Sequence, residues 1–336
     1  MKKSLLALAV LGAFAGAASA QSSVTLYGLV DMGVMRTSSG TSNAANDGVG
    51  NRGEWNLKQG AASRLGVRGT EDLGGGLKAI FQIEHRFNPD TGTQTNANVF
   101  WHGRSYVSLS SNVGTVYLGR EFVPAFWVAA AGDPWGWDNI GQLGQNYTFA
   151  SYGSADNTGT NGSIRNSNTV GLKTANYGGF SAELAVSGGE GVRGRAVGFN
   201  AQYAAGPLYV GVGVDTTDNL STAPNQVDPR LVVVTAKYTF GPVTPSLTYA
   251  ENRTAADTKT KSIALGLTAK VGPSGEVRFG VGRLDPHGDD NTSTKVALGY
   301  MHGLSKRTSV YADVSTAKTD NLTRSKAVGV GVKHTF

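Results

Sequence analysis

Charged side chains recur at alternate positions in this chain, with apolar residues between them. Arg64-Leu-Gly-Val-Arg68 sets Leu65 and Val67 against Arg64 and Arg68. A few residues on, Lys78, Gln82, Glu84 and Arg86 oppose Ala79, Phe81, Ile83 and Phe87. The same parity puts Arg104, Arg165, Lys173 and Arg278 on the polar side, together with Asp31, Glu84, Glu121, Glu183 and Glu276. Rows of arginine or lysine attract anions, so the chemistry within reach is the steering of charged solutes. Catalytic spacing is missing. The five histidines (His85, His102, His287, His302, His334) show no HExxH pattern, and there is no G-x-S-x-G elbow and no P-loop. With no cysteine there is no thiol nucleophile, disulfide framework or thiolate metal site. Asp285 to Asp290 reads as an ordinary polar loop. No catalytic residue, metal or cofactor is therefore assigned, and an enzyme is not expected.

Such charges must be held by extended elements, because alternation with period two is the mark of a half-buried strand. Sixteen runs carry it, roughly 23–36, 62–71, 77–87, 101–110, 115–121, 167–174, 180–188, 195–204, 208–215, 231–239, 243–252, 259–270, 276–283, 293–301, 308–317 and 325–336. Short turns such as Asp72 to Gly76 and Gly272 to Gly275 alternate with longer polar stretches such as Ser38 to Lys58 and Thr216 to Asp228. An even number of strands, joined alternately by short and long connections, predicts a sixteen-stranded antiparallel transmembrane β-barrel. Aromatics at strand ends (Tyr27, Tyr117, Tyr177, Phe180, Tyr203, Phe240, Tyr249, Tyr300, Phe336) are expected to form girdles at the two membrane interfaces. A large soluble jelly roll is the rival all-β fold. It would leave the mixed charges of the polar face unexplained, whereas a closed barrel with a wet lumen uses them and has no open edges.

Composition agrees with export. Lys2 and Lys3, the apolar run Leu5 to Ala18 and Ala18-Ser19-Ala20 read as a cleaved signal peptide over 1–20, followed by a barrel over 21–336. The net charge is +6, and +4 once Lys2 and Lys3 leave (6 − 2). The basic residues are scattered rather than blocked, so a nucleic-acid partner is set aside. Mean hydropathy is −0.19, and no later apolar run approaches the 18 or so residues of a spanning helix.

One stretch breaks the alternation. Gly119–Asn168 shows neither a strand period nor a long helical one, yet it holds Phe122, Phe126, Trp127, Trp135, Trp137 and Tyr147. Long irregular segments inside compact domains are functional or disordered, and this many aromatic anchors argue for a packed loop. Phe122, Phe126, Trp127, Trp135 and Trp137 are its expected anchors.

Over essentially its whole length the chain resembles the trimeric general-diffusion porins of β-proteobacteria. The resemblance rests on Val24-Thr-Leu-Tyr-Gly28 with Asp31, on Ser63-Arg-Leu-Gly-Val-Arg-Gly-Thr-Glu-Asp-Leu-Gly74, on Gly114-Thr-Val-Tyr-Leu-Gly-Arg120, on Arg165-Asn-Ser-Asn168 and on the last strand to Phe336. It implies residence in the outer membrane of a Gram-negative bacterium, among outer-membrane lipids and lipopolysaccharide. A homotrimer with the first and last strands at its contacts is implied too, with Asn88–Asn98 as a latch, and with Val332, His334 and Phe336 as the signal read by the barrel-assembly machinery. Gly119–Asn168 becomes a constriction loop folded into the lumen. The tryptophans after Arg120 depart from the family pattern. A sixteen-stranded barrel leaves an aqueous channel. The expected function is passive diffusion of ions and small hydrophilic solutes with weak to moderate anion preference, or, as the alternative, transport selective for a sugar or organic anion. Arg64, Arg68, Arg86 and Arg165 are the expected cationic wall, with Glu121, Asp133 and Asp138 as the acidic side opposite.

Overall fold

The computed structural model describes residues 22–38, 53–149, 164–190, 194–221, 224–286 and 291–336. The proposed signal peptide, His287, Asp289 and Asp290 lie outside them. The strands are β1 (Ser23–Ser38), β2 (Glu54–Lys58), β3 (Arg64–Gly74), β4 (Leu77–Asn88), β5 (Thr93–Gln94), β6 (Ser105–Ser110), β7 (Gly114–Phe122), β8 (Arg165–Thr174), β9 (Phe180–Ser187) and β10 (Ala196–Ala205). They continue with β11 (Leu208–Thr217), β12 (Arg230–Tyr238), β13 (Val243–Arg253), β14 (Lys259–Val271), β15 (Gly275–Pro286), β16 (Ser293–Gly303), β17 (Thr308–Thr319) and β18 (Ser325–Thr335). Between β7 and β8 lie helix α1 (Pro124–Gly132) and a π-helical turn, Gly144–Thr148.

Every pairing is antiparallel, and the ring closes where β1 meets β18, from Leu29↔Thr335 to Ser38↔Lys326. Sixteen staves make the closed barrel. The two extra strands are short: β5 is a two-residue spur on β4, and β2 continues the stave of β3. The lower half of β1 pairs with β3 and the upper half with β2. Ser38 to Lys58, read as a polar connection, thus ends in a strand. The interruption falls opposite Asp31, whose Oδ1 accepts the Gly60 N–H at 2.7 Å while its own N–H donates to Ser63 Oγ at 3.1 Å. Those side chains replace ladder bonds that the break removes. At the opposite end the β3–β4 turn runs through Gly74, Gly75 and Gly76, all at positive φ (85°, 59° and 81°), where a Cβ would be strained.

Burial turns the usual soluble pattern inside out. On β14, Ile263 and Leu265 are 45% and 52% exposed, while Ser262 and Ala264 between them are buried. Val328, Val330 and Val332 of β18 point outward in the same way. Apolar residues therefore face the membrane and small or polar ones face the lumen, which excludes the jelly roll. Outward aromatics pair at strand ends, Phe180 with Tyr203 at 4.5 Å and Tyr238 with Phe240 at 4.4 Å. Two expected girdle residues do not join them. Tyr117 is buried inside, donating to Glu183 Oε1 at 2.7 Å, and Tyr27 turns in toward Glu84 and Gln82. Both sit at inward parity, which overrides their place near a strand end.

The main dry core lies inside the barrel. Phe122, Val123, Ala125, Phe126, Val128 and Ala129 pack on Leu231, Val233 and Ala250 of the inner wall.

Candidate pore constriction

Helix α1 forms where the sequence shows no amphipathic period. Pro124 occupies its first turn, alanines fill it, and Gly132 ends it. Periodicity misses it because it is apolar nearly all round, as a helix covered on several sides must be. Inward glycines make room for it: a Cβ on Gly213 would stand 2.6 Å from the Ala125 Cα, and one on Gly198 2.5 Å from the Pro124 ring. Val123 at the N-cap position makes no side-chain bond to the helix, and the barrel supplies the caps. Asp215 accepts the Ala125 N–H at 2.7 Å, Asn200 donates to the Pro124 carbonyl at 2.8 Å, and Ser246 donates to the Gly132 carbonyl at 2.7 Å.

Beyond the helix, Asp133 ties the loop to itself. Its carboxylate accepts the N–H groups of Trp135 (3.0 Å), Trp137 (3.2 Å), Leu143 (3.1 Å) and Gly144 (3.1 Å). Burial pushes its pKa above the usual carboxylate range, against the pull of those four bonds. Further wall contacts run from Trp135 Nε1 to Asp313 (2.8 Å), from Lys295 to the Gln142 carbonyl (2.6 Å), and from the Asn139 N–H to the Gly60 carbonyl at the β2–β3 break (2.8 Å). Trp137 and Asn139 sit at positive φ, 76° and 61°. For a bulky tryptophan that is an uncommon, costly backbone state, held by the surrounding contacts.

The stretch of wall away from the strands that helix α1 packs on, β3 to β8, carries the cations. Register sets Arg64 directly across from Arg86, a like-charge pair that by itself destabilises a sheet. Glu84 relieves it, 2.7 Å from the Arg86 guanidinium. Arg165, at the start of β8, lies with its Cζ 4.0 Å from the Phe122 ring centroid. These three arginines, with Phe122, Phe126, Trp137 and Asp138, line a cavity of about 280 Å³. His102 also borders it; burial, then the charges of Arg120, Arg165 and Arg86, push its pKa down to about 4. Asp138 is pushed above the ordinary carboxylate range by burial, although Arg64, Lys333 and Arg86 oppose this. Next along the wall, Arg104 grips Glu121 with two nitrogens, and Lys173 stands 3.7 Å from Glu121 and 3.5 Å from Glu183. The Trp127 ring lies between them, 5.6 Å from the Arg104 Cζ and 5.2 Å from the Lys173 Nζ.

The family model for the Gram-negative porin matches residues 7–322. The chain belongs to the Gram-negative porin family. It is 37% identical to outer membrane porin protein 32 of Delftia acidovorans, over 95% of this chain and 90% of that one. It is 31% identical to an outer membrane porin protein of Bordetella pertussis across the full length of both. Among solved structures, an anion-selective porin from Comamonas acidovorans superposes with a TM-score of 0.81 at 31% identity, covering 94% of this chain and all of that one. The trimer form of OmpT of Vibrio cholerae shares the fold alone, with a TM-score of 0.69 at 14% identity over 94% of this chain and 99% of that one. The chain is thus an outer-membrane porin of a Gram-negative bacterium, a water-filled channel for passive diffusion.

Within this porin the expected site residues separate. Arg64, Arg86, Arg165 and Asp138 share one cavity. Arg68 does not reach it: four residues along β3, about 13 Å away, it lies exposed near the Tyr27 ring. Glu121 does not stand opposite the arginines, because β7 places it on their own wall, across from Asn166. Asp133 is buried within the loop rather than aimed at the lumen. Trp135 is a buried anchor, whereas Phe122, Phe126 and Trp137 both pack the loop and border the cavity. Arg120, which strand parity leaves unassigned, sits at a break in register between Gly119 and Glu121 and donates to Ser167 Oγ at 2.9 Å.

Proposed function

We propose that this porin passes small anions in preference to cations. One observation carries the reading: along the wall from β3 to β8, Arg64, Arg86, Arg104, Arg165 and Lys173 outnumber Glu84, Glu121, the neighbouring Glu183 and the loop's Asp138, and the three glutamates are held in ion pairs with those cations. An arginine-rich wall beside a loop folded into the lumen stabilises an anion as it sheds water. The anion-selective Comamonas porin supports the same reading by likeness. Reversal potentials across a planar bilayer in a potassium chloride gradient test it. The sign should be that of chloride permeation, and a potassium sign overturns it.

The assembled form we propose is a homotrimer, with β1 and β18 at its contacts and Asn88–Asn98 as a latch. Cross-linking and light scattering of the purified protein should give three chains. Val332, His334 and Phe336 present one outward row for the barrel-assembly machinery, and cleavage after Ala20 frees the mature chain. Lipopolysaccharide is the proposed lipid partner. Outward-facing Arg230, Arg253 and Lys259 lie directly across three neighbouring strands; Asp257 pairs with Arg253 and Glu251 stands beside them, and the one positive charge in excess is what a lipid phosphate would meet.

A further inference from the structure

Two unlike surfaces meet in the cavity beside the constriction loop. One is guanidinium: Arg64, Arg86 and Arg165. The other is aromatic, and it begins under Arg165. Phe122 lies beneath that guanidinium at 4.0 Å, Phe126 stacks on Phe122 with ring centroids 4.1 Å apart and planes 9° apart, and Trp137 follows at 5.0 Å from Phe126. Most of the other residues bordering this cavity are polar, so its aromatic face is distinct from the rest of its lining. Trp137 is set there by a backbone at φ 76°, and its indole N–H is buried with no partner among the described residues, as is the Arg64 Nε. These rings also anchor the loop, and where they border the cavity they present an apolar face that water and chloride wet poorly.

The charges facing this space fix the sign of what fits. Arg64, Arg86 and Arg165 contribute three positive charges; Asp138 and the Arg86-bound Glu84 contribute two negative ones, leaving one positive charge, or three if the neighbouring Arg120 and Lys333 are included. His102 is neutral at physiological pH. A carboxylate matches guanidinium geometry, and a flat ring matches an aromatic and guanidinium-lined floor.

We propose that this cavity is a subsite for aromatic monocarboxylates of the benzoate class, with the carboxylate on the arginine side and the ring on the Phe126–Trp137 side. The inference rests on the anion-selective reading above and narrows it to a substrate class. It makes the channel one that retains an aromatic acid briefly beside the constriction loop while smaller anions pass.

The test is single-channel recording of the full mature protein in potassium chloride, with benzoate, cyclohexanecarboxylate or acetate added on one side. The two ring acids are close in size and equal in charge, so only ring character separates them. Benzoate should interrupt the current with a residence roughly five-fold longer than cyclohexanecarboxylate, equivalent to about 1 kcal/mol, and acetate should not interrupt it. W137L and F126L should each bring the benzoate residence down toward that of cyclohexanecarboxylate. Equal residence of the two ring acids in a chloride-selective wild-type channel overturns the subsite and leaves the anion-selective reading standing. A potassium-selective channel overturns both. Should either variant fail to assemble, the wild-type comparison of the two acids still decides.

Discussion

Asp133 and Asp138 are five residues apart and do different things. Asp133 holds the loop by accepting four backbone N–H groups. Asp133→Asn replaces a charged acceptor by a weaker one and leaves donors unpaired, a loss of about 2 kcal/mol or more. It should loosen the constriction, seen as a noisier and larger single-channel conductance with the barrel intact on unheated gels. Asp138 sits among the arginines, with its pKa held up by burial. As pH falls it loses its negative charge before ordinary carboxylates do, so anion preference should rise at a pH above their range. D138N should remove that step from the reversal-potential profile. His102 works the other way. Its folded pKa of about 4 lies below the ordinary 6.5, so the ring adds no charge to the pore until about pH 4. Between those values the unfolded chain binds the proton first, and this ring costs stability as the pH falls. Glu121 neutralises Arg104 and Lys173; E121Q should shift the reversal potential further toward chloride.

At the scale of elements, the barrel provides what helix α1 lacks. Its first N–H is capped by Asp215, its last carbonyl by Ser246, and its side chains are dry only because β12 and β13 cover them. Gly213 is the approach with backbone on the far side. A side chain there must move α1, because the obstructing atom is the Ala125 Cα and not the end of a flexible side chain. Gly213→Val should therefore push the helix toward the arginine wall and lower the single-channel conductance, while the far-side Gly74–Gly76 turn is untouched.

For the whole molecule, closure is the controlling event. Gly28 and Phe336 exchange backbone hydrogen bonds in both directions, at 3.0 and 3.1 Å, and the Phe336 ring covers Gly28, where a Cβ would collide with its Cζ. Deleting Phe336 removes both bonds, about 2 kcal/mol, together with the ring. The heat-modifiable band on gels should weaken and the midpoint of thermal unfolding should fall.

The sequence by itself determined the barrel, because period-two alternation and paired turn lengths are local signals repeated in every stave. It also determined which side of each strand is wet, so Arg64, Arg86 and Arg165 were legible as inward charges. It did not reveal that Glu121 shares their wall or that Asp133 is turned into the loop, since those depend on where the loop runs inside the barrel; parity alone also does not say at which level along a strand the loop meets the wall, so it did not separate Arg68 from Arg64. Helix α1 was hidden for a related reason: its apolar surround is supplied by β10 to β13, so no polar face marks it. Only the tertiary structure decided which charges meet, because a loop folded into a closed ring takes its neighbours from the opposite wall and not from its own sequence.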